Sequence, residues 1–479
     1  MFIGLDLGTS GLKAIVIDAD QAVLAEATAP LSVSRPHDGW SEQDPAHWIA
    51  ATRDVMAALG GQVDLSGVRG IGLSGHMHGA TVLDAADQVL RPCILWNDTR
   101  SHLEAAELDA DPKFRARTGN IVFPGFTAPK LAWMRGNEPE LFARVSKVLL
   151  PKDYLRLFLT GEKVAEMSDA AGTSWLDVGR RDWDDDLLAA TGLTRDAMPR
   201  LVEGSEVSGT LRDDLAAEWG LPKGVVVAGG GGDNAASAVG VGVVNPGEAF
   251  VSLGTSGVLF AASAAYQPDA ASAVHTFCHA LPGTWHQMGV ILAATDALNW
   301  YAGVVGEDAA ALTGDLGDLR APGRTLFLPY LGGERTPHND AHIRGAFLHL
   351  DHGADRAVMT RAVLEGVTHA FRDSFDALTG TGTKIERLIA VGGGSRSDYW
   401  LHAIATSLGM PVERPVAGDF GGAYGAARLG LMAATGAGAE VATPPAIEGV
   451  IDPVPALQDA FAEAHSRYRA SYAALRDLT

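Results

Sequence analysis

Two carboxylates, each beside a turn of small residues, are where this sequence offers chemistry. Asp233 follows four consecutive glycines at 229–232 and precedes Asn234-Ala235-Ala236, which should open a helix. Glycines strip away side chains, so a substrate can come close to the backbone. An aspartate at the floor of such a gap can accept the proton of an attacking hydroxyl. A helix N-cap would explain the same aspartate. Asp6 lies inside an apolar run, three residues before Thr9. A buried lone carboxylate is costly and needs a partner. A magnesium ion attached to a nucleotide, contacted directly or through water, is one such partner; the donors of the adjacent turn are another.

The turn after Asp6, Leu7-Gly8-Thr9-Ser10-Gly11, occurs again unchanged as Leu253-Gly254-Thr255-Ser256-Gly257. Glycines allow such a bend to aim consecutive backbone N–H groups at one spot, and the hydroxyls add donors. One copy is a weak phosphate signal. Two copies, one in each half, suggest two related domains that grip one polyphosphate between them. A phosphoryl donor needs an acceptor site with a base, so the repeat tips Asp233 toward catalysis and Asp6 toward the metal-linked role. Lys13 either reaches the phosphates or is a solvated strand residue.

Other polar segments lack so definite a pattern. Gly392-Gly393-Gly394-Ser395-Arg396-Ser397 lies between a strand and a helix, where open α/β sheets place ligands. It has no lysine of the GxxxxGK[ST] kind, so its role is either backbone approach to an adenosine or a tight turn. Ser74-Gly75-His76-Met77-His78-Gly79 has two histidines but no further ligand set, and reads as a loop lining a polar pocket. Trp96-Asn97-Asp98-Thr99-Arg100 suits a polyhydroxylated ligand, the ring covering a carbon face while the others bond hydroxyls. A capped helix start with a core tryptophan fits the same residues. Spacing leaves the role of Glu334-Arg335-Thr336-Pro337-His338 undetermined.

The elements that must hold these residues alternate. Strands are expected over 2–7, 12–18, 23–29, 68–74, 81–83 and 225–228. A helix is expected over 45–59, behind Asp44 as N-cap. The second half repeats the strand-turn-strand over 249–261. It adds a helix over 361–378, a strand over 387–391, a helix over 397–408, a loop over 434–446 and a helix over 457–475. Asn245-Pro246-Gly247 is the turn that divides the halves. The alternation predicts an α/β architecture in two domains, 1–245 and 246–479.

At 479 residues the chain is long enough for two or three large cores. Its 47% apolar and 20% charged residues argue against disorder. A net charge of −21 disfavours nucleic acid and anionic lipid as partners. Cys93 and Cys278, the 2 cysteines, lack metal-type spacing and read as buried thiols. There is no basic leader and no long apolar run, so a cytoplasmic protein with no membrane span is expected.

Together these residues resemble the FGGY sugar kinases of the actin-like ATPase superfamily, over essentially the whole chain. The matching stretches include 3–13, Trp40-Ser41-Glu42-Gln43-Asp44-Pro45, 75–79, 95–98, Gly125-Phe126-Thr127-Ala128-Pro129-Lys130, 150–155, 168–173 and 230–234. They continue through 252–257, Leu328-Pro329-Tyr330, 333–338 and 392–394. The LGTSG turns are shared across the superfamily; GHMHG, GFTAPK and GERTPHN are more specific to members that act on D-xylulose. Two departures, the fourth glycine before Asp233 and Gly136 near Lys130 and Trp133, touch loop details only.

The resemblance implies two ribonuclease H-like domains around a central cleft, the first binding sugar and the second mainly nucleotide. It implies Asp233 as catalytic base and Asp6 as a magnesium-linked active-site carboxylate. Met77 and His78 would belong to the sugar site, with Asn234, Trp96 and Asp98 nearby. Thr9, Gly254 and Thr255 would hold phosphates, and Gly393 and Gly394 would lie by the nucleoside. ATP, Mg2+ and D-xylulose are the implied ligands, and a homodimer is plausible from the family alone. Rival expectations are a kinase for another ketose or polyol, an actin-like ATPase without a sugar acceptor, and a non-catalytic sugar sensor.

Overall fold

A computed structural model, which describes residues 1–416 and 421–478, contains two seven-stranded sheets built on one plan. In the first half lie β1 (Phe2–Leu7), β2 (Gly11–Ile17), β3 (Val23–Pro30), α1 (Pro45–Gly60), β4 (Gly70–Gly75), β5 (Val226–Ala228) and α2 (Asp233–Val241). The second half contains β6 (Gly247–Leu253), β7 (Gly257–Ser263), β8 (Trp285–Ile291), α3 (Thr295–Val305), α4 (Arg356–Gly380) and β9 (Ile385–Val391). It ends with α5 (Asp398–Leu408), β10 (Val412–Pro415), α6 (Gly422–Thr435) and α7 (Gln458–Leu475).

The first sheet runs β3-β2-β1-β4-β5, and the second runs β8-β7-β6-β9-β10, each with further edge strands. In both, the first two strands form an antiparallel hairpin and the fourth joins the first in parallel. The duplicated turn is the tip of that hairpin in each sheet. The expected α/β class and paired architecture are therefore found.

Local chemistry fixes the elements. Asp44 caps α1 by accepting from the Ala46 amide at 2.9 Å, with Pro45 in the first turn. Trp48, Val55, Met56 and Leu59 bury the inner face of α1 in one apolar cluster with Ile3, Leu5 and Ala14. Helix α4 starts at Arg356, five residues before its expected start at 361, because Asp355 caps it by accepting from Val358 N at 2.9 Å. Among the described residues no helix is long and apolar enough to cross a membrane.

One helix crosses between sequence halves. Helix α6 lies on the first sheet, not the second. A methyl on Gly4 would stand 1.8 Å from the Ala423 carbonyl oxygen, and one on Gly72 would stand 1.8 Å from that of Ala426. On its other side, a methyl on Gly425 would lie 1.7 Å from the carbonyl oxygen of Ala236 in α2. Glycine on both surfaces lets backbone meet backbone, which is what seats α6 against β1 and β4.

Candidate active site

The strand ends under α6 gather the first group. Asp6 stands opposite Lys13 on β2 and opposite Ser74 on β4, and Gly231 pairs with Ser74 from the far side. Ser74 Oγ donates to Asp6 Oδ1 at 2.7 Å. The partner expected from the adjacent turn is thus supplied by the neighbouring strand. Gly422, the first residue of α6, is so close that a methyl there would lie 2.8 Å from Asp6 Oδ2. Asp6 is half-buried at the end of β1 and ringed by protein. That desolvation raises its pKa, while the Ser74 hydrogen bond and the charge of Lys13 oppose the shift. Lys13 Nζ also lies 3.3 Å from Glu26 on β3.

Asp233 is the first residue of α2, with Gly232 as the cap, so the N-cap role falls to the glycine. Its Oδ1 accepts from Asn234 N at 2.7 Å and from Asn234 Nδ2 at 3.0 Å. Burial pushes its carboxyl up to about 6; the Asn234 backbone bond opposes this, and the charge of Asp6 adds to it. The two carboxylates therefore sense one another. Among the described residues no group of three or more His, Cys, Asp or Glu side chains converges on a metal position. That donor set suits magnesium, which keeps waters and takes one or two carboxylates together with phosphate oxygens.

The loop after β4 forms a wall beside Asp233. Met77 packs on the glycine tract, since a methyl on Gly232 would lie 2.9 Å from Met77 Cγ. His78 adopts φ 70°. Its carbonyl accepts from Lys130 Nζ at 2.8 Å and Thr127 Oγ1 at 3.1 Å. Its Nδ1 lies 2.7 Å from the Gly172 carbonyl, and its ring stacks on Phe126. Burial lowers its pKa to about 3, so the ring is neutral. Nδ1–H then donates to Gly172, and Nε2 remains an acceptor.

Trp96 and Asp98, neighbours in sequence, take different places. Trp96 is 47% exposed, and its Nε1 donates to Thr9 Oγ1 at 3.0 Å. Asp98 is buried and both oxygens are engaged: Oδ1 by Arg100 Nε and the Arg100 amide at 2.9 Å, Oδ2 by Arg100 Nη2 and the Ser41 amide at 2.6 Å. The Arg100 guanidinium in turn stacks over Trp40, 3.5 Å from the ring centroid. Asp98 thus anchors the segment from behind Trp96.

In the second sheet the copied turn is bolted to α3. Gly254 O accepts from Thr295 N at 2.9 Å and Thr295 Oγ1 at 2.7 Å, and Thr255 O accepts from Ala294 N at 2.8 Å. Thr255 and Ser256 are exposed. After β9, Gly392 turns the chain at φ 88° into the short helix Gly393–Arg396. Two cavities flank that turn. One of about 500 Å³ joins the sheets and is lined by Asn234, Ser237, Ser252, Gly392, Gly393 and Arg396. The other, about 650 Å³, is lined by Thr295, Asn299, Gly393, Gly394, Ser397 and Tyr399.

The expected residues therefore fall into linked groups: Asp6, Asp233 and Lys13; Met77 and His78; Trp96 with Thr9; and Gly254 and Thr255 with α3. Asn234 and Gly393 share the intersheet cavity. No hydrogen bond joins the two turns among the described residues, and neither Thr9 nor Thr255 lines these two cavities. Sequence reasoning missed Ser74, Gly422 and Lys130 as supports. Gly422 was visible only as a small residue, and Lys130 only as part of the GFTAPK stretch.

Two sheets of one plan, each tipped by the same turn, thus flank a cavity lined by Asn234, the residue after the desolvated Asp233. The FGGY family of carbohydrate kinases matches the chain with its N-terminal domain at residues 1–240 and its C-terminal domain at 249–434. The chain belongs to that family. Membership implies ATP as phosphoryl donor and a metal ion in catalysis. A xylulose kinase of Escherichia coli (strain K12) is 51% identical over 441 residues, 91% of this chain and 90% of the relative. A crystal structure described as a "xyloylose kinase" from Brucella ovis superposes with a TM-score of 0.98 at 63% identity, covering 100% of both chains. A xylulose kinase structure from Rhodospirillum rubrum gives a TM-score of 0.92 at 32% identity, covering 100% of this chain and 99% of that one.

Proposed function

We propose that this chain phosphorylates D-xylulose with ATP, giving D-xylulose 5-phosphate and ADP. The observation that carries the reading is the place of Asp233. Its carboxyl is raised to about 6, it adjoins the Met77 and Gly232 contact, and its neighbour Asn234 opens onto the cavity shared with Gly393. A base of that strength is ionised at neutral pH yet basic enough to take a proton.

The ketose lies against Met77, His78 and Trp96. Its C5 hydroxyl gives its proton to Asp233 as the oxygen attacks the γ-phosphorus in line, and ADP leaves. Neutral His78 accepts a hydroxyl hydrogen at Nε2. Asn234 holds the Asp233 carboxylate toward the cavity. The turns at Thr9 and at Gly254 and Thr255 present donors to the phosphates, as does Lys13, and Gly393 and Gly394 approach the nucleoside. A magnesium ion on the nucleotide, held beside Asp6, would offset charge on the transferring group. Positioning and electrostatics supply most of the acceleration. The chain is read as two domains, 1–245 and 246–479, with α6 of the second completing the first. A cytoplasmic homodimer completes the proposal.

A panel of D-xylulose, D-ribulose, L-ribulose, glycerol and gluconate, assayed with ATP and magnesium by ADP release, tests the reading. D-xylulose should give the highest kcat/KM. A higher value for another acceptor, or ADP release independent of any sugar, overturns it.

A further inference from the structure

Arg335 carries a charge that the mechanism above does not use. It sits in the second half of the chain, on the loop after Leu328-Pro329-Tyr330, and that loop is rigidly mounted. Thr336 N donates to Val290 O at 3.0 Å, and Val290 N donates to Thr336 Oγ1 at 3.0 Å. Thr336 Oγ1 donates to Ala273 O at 3.0 Å. Glu334 Oε1 accepts from Arg335 N at 2.7 Å and from Leu292 N at 3.0 Å. From this platform on β8 the Arg335 side chain reaches the first half of the chain. Its guanidinium carbon lies 4.4 Å from the centroid of Phe123. Phe123 packs edge-on against Phe126, the ring on which His78 stacks.

The guanidinium is partly exposed and poorly partnered. Among the described residues it makes no ion pair, and its one side-chain hydrogen bond goes from Nη1 to His275 Nε2 at 3.4 Å. A guanidinium has five N–H donors. Most of them have no protein acceptor and are open to solvent, so they are available to oxygens of a ligand that displaces that water. The charge of Arg335 is felt at His78 itself, where it helps hold the ring neutral.

We infer that Arg335 is the second domain's contribution to the acceptor pocket, its guanidinium donating hydrogen bonds to oxygens of the bound ketose opposite His78. This rests on the reading that the ketose lies against Met77 and His78. It also ties sugar binding to domain approach, because the residue that completes the pocket is carried by the other sheet. A merely structural Arg335, clamping its loop onto Phe123, would lower stability and alter both substrates alike.

The test is calorimetric titration of the full-length protein with D-xylulose alone and with ATP alone. Arg335→Met should weaken D-xylulose binding about 10- to 100-fold, the loss of hydrogen bonds from a charged donor, with ATP affinity unchanged. Arg335→Lys, which keeps the charge but not the fork, should fall between. Millimolar guanidinium chloride should restore sugar binding in Arg335→Ala, and sodium chloride should not. Wild-type sugar affinity in Arg335→Met, with His78→Ala unable to bind the sugar, overturns the role of Arg335 and leaves the pocket reading standing. Wild-type affinity in both variants overturns both. A parallel loss of ATP and sugar affinity in Arg335→Lys, with a lowered Tm, marks a structural clamp and overturns the inference.

Discussion

Trp96 donates its indole Nε1 hydrogen to Thr9 Oγ1 at 3.0 Å, tying the exposed aromatic face to the first hairpin turn. The turn is held from below as well, because Gln43 Nε2 donates to Thr9 O at 2.7 Å and Trp48 Nε1 donates to Gln43 Oε1 at 3.0 Å. The surface proposed for sugar and the turn proposed for phosphate are thus one mechanical unit. Trp96→Phe keeps the ring and removes the bond. Steady-state kinetics should show the KM for ATP and for D-xylulose rising together, by about 2- to 10-fold for a neutral hydrogen bond. A change in the sugar KM alone would separate the two surfaces.

Removal of the proposed base should reach turnover and spare nucleotide binding. Asp233→Ala should lower kcat by about 10²–10⁴-fold while ATP still binds in calorimetry. In the wild type, kcat/KM for D-xylulose should fall on the acid side as Asp233 takes up a proton near pH 6. Wild-type turnover in Asp233→Ala would remove this residue from the mechanism.

The same carboxyl makes a prediction about stability. Its folded pKa, about 6, stands above its ordinary value of 3.8, so the folded state holds the proton more tightly than the unfolded chain does. Its contribution is fully present below pH 3.8 and is lost as pH rises through about 6. Asp233→Asn, permanently neutral, should therefore raise Tm at pH 7.5 and lose that advantage at pH 4. Differential scanning calorimetry at the two pH values checks the sign. An equal Tm difference at both would show that ionisation is not the cause.

The seat of α6 predicts a strong response to one methyl group. Gly72→Ala places a carbon 1.8 Å from the Ala426 carbonyl oxygen, and the obstacle is backbone on both sides. The cost should reach or exceed the ~1–3 kcal/mol usual for overpacking. Gly220→Ala, whose methyl meets nothing within 4 Å, should cost less despite its φ of +68°. Denaturant midpoints of the two variants make the comparison.

Much of the fold was legible in the sequence, and the reasons are local. The repeated LGTSG turns with apolar runs on both sides fixed two hairpins, and β1 spans the expected 2–7. Asp44 and the 45–59 pattern placed α1 to within a residue. The seat of α6 was not legible. Gly4, Gly70 and Gly72 are ordinary strand glycines, and Gly430 is an ordinary helix glycine, until the helix backbone from Ala423 to Gly430 meets those strands from the far end of the chain. At the site, Asp233 could be singled out by type and setting, whereas Met77 entered only through the family resemblance. That Asp98 spends both oxygens on Arg100 and Ser41 depends on pairing in space, as does the Ser74 bond to Asp6.

The late arrival of α6 has a consequence for synthesis. While a ribosome is still making the first half of this protein, β1 and β4 emerge with one broad side bare, and the helix that belongs there is among the last segments translated. Asp6 and Asp233 then lie in an unfinished, wet groove. A nascent or truncated chain should consequently stay clinging to chaperones and waste no ATP, and activity should switch on only when residues up to Thr435 have cleared the exit tunnel.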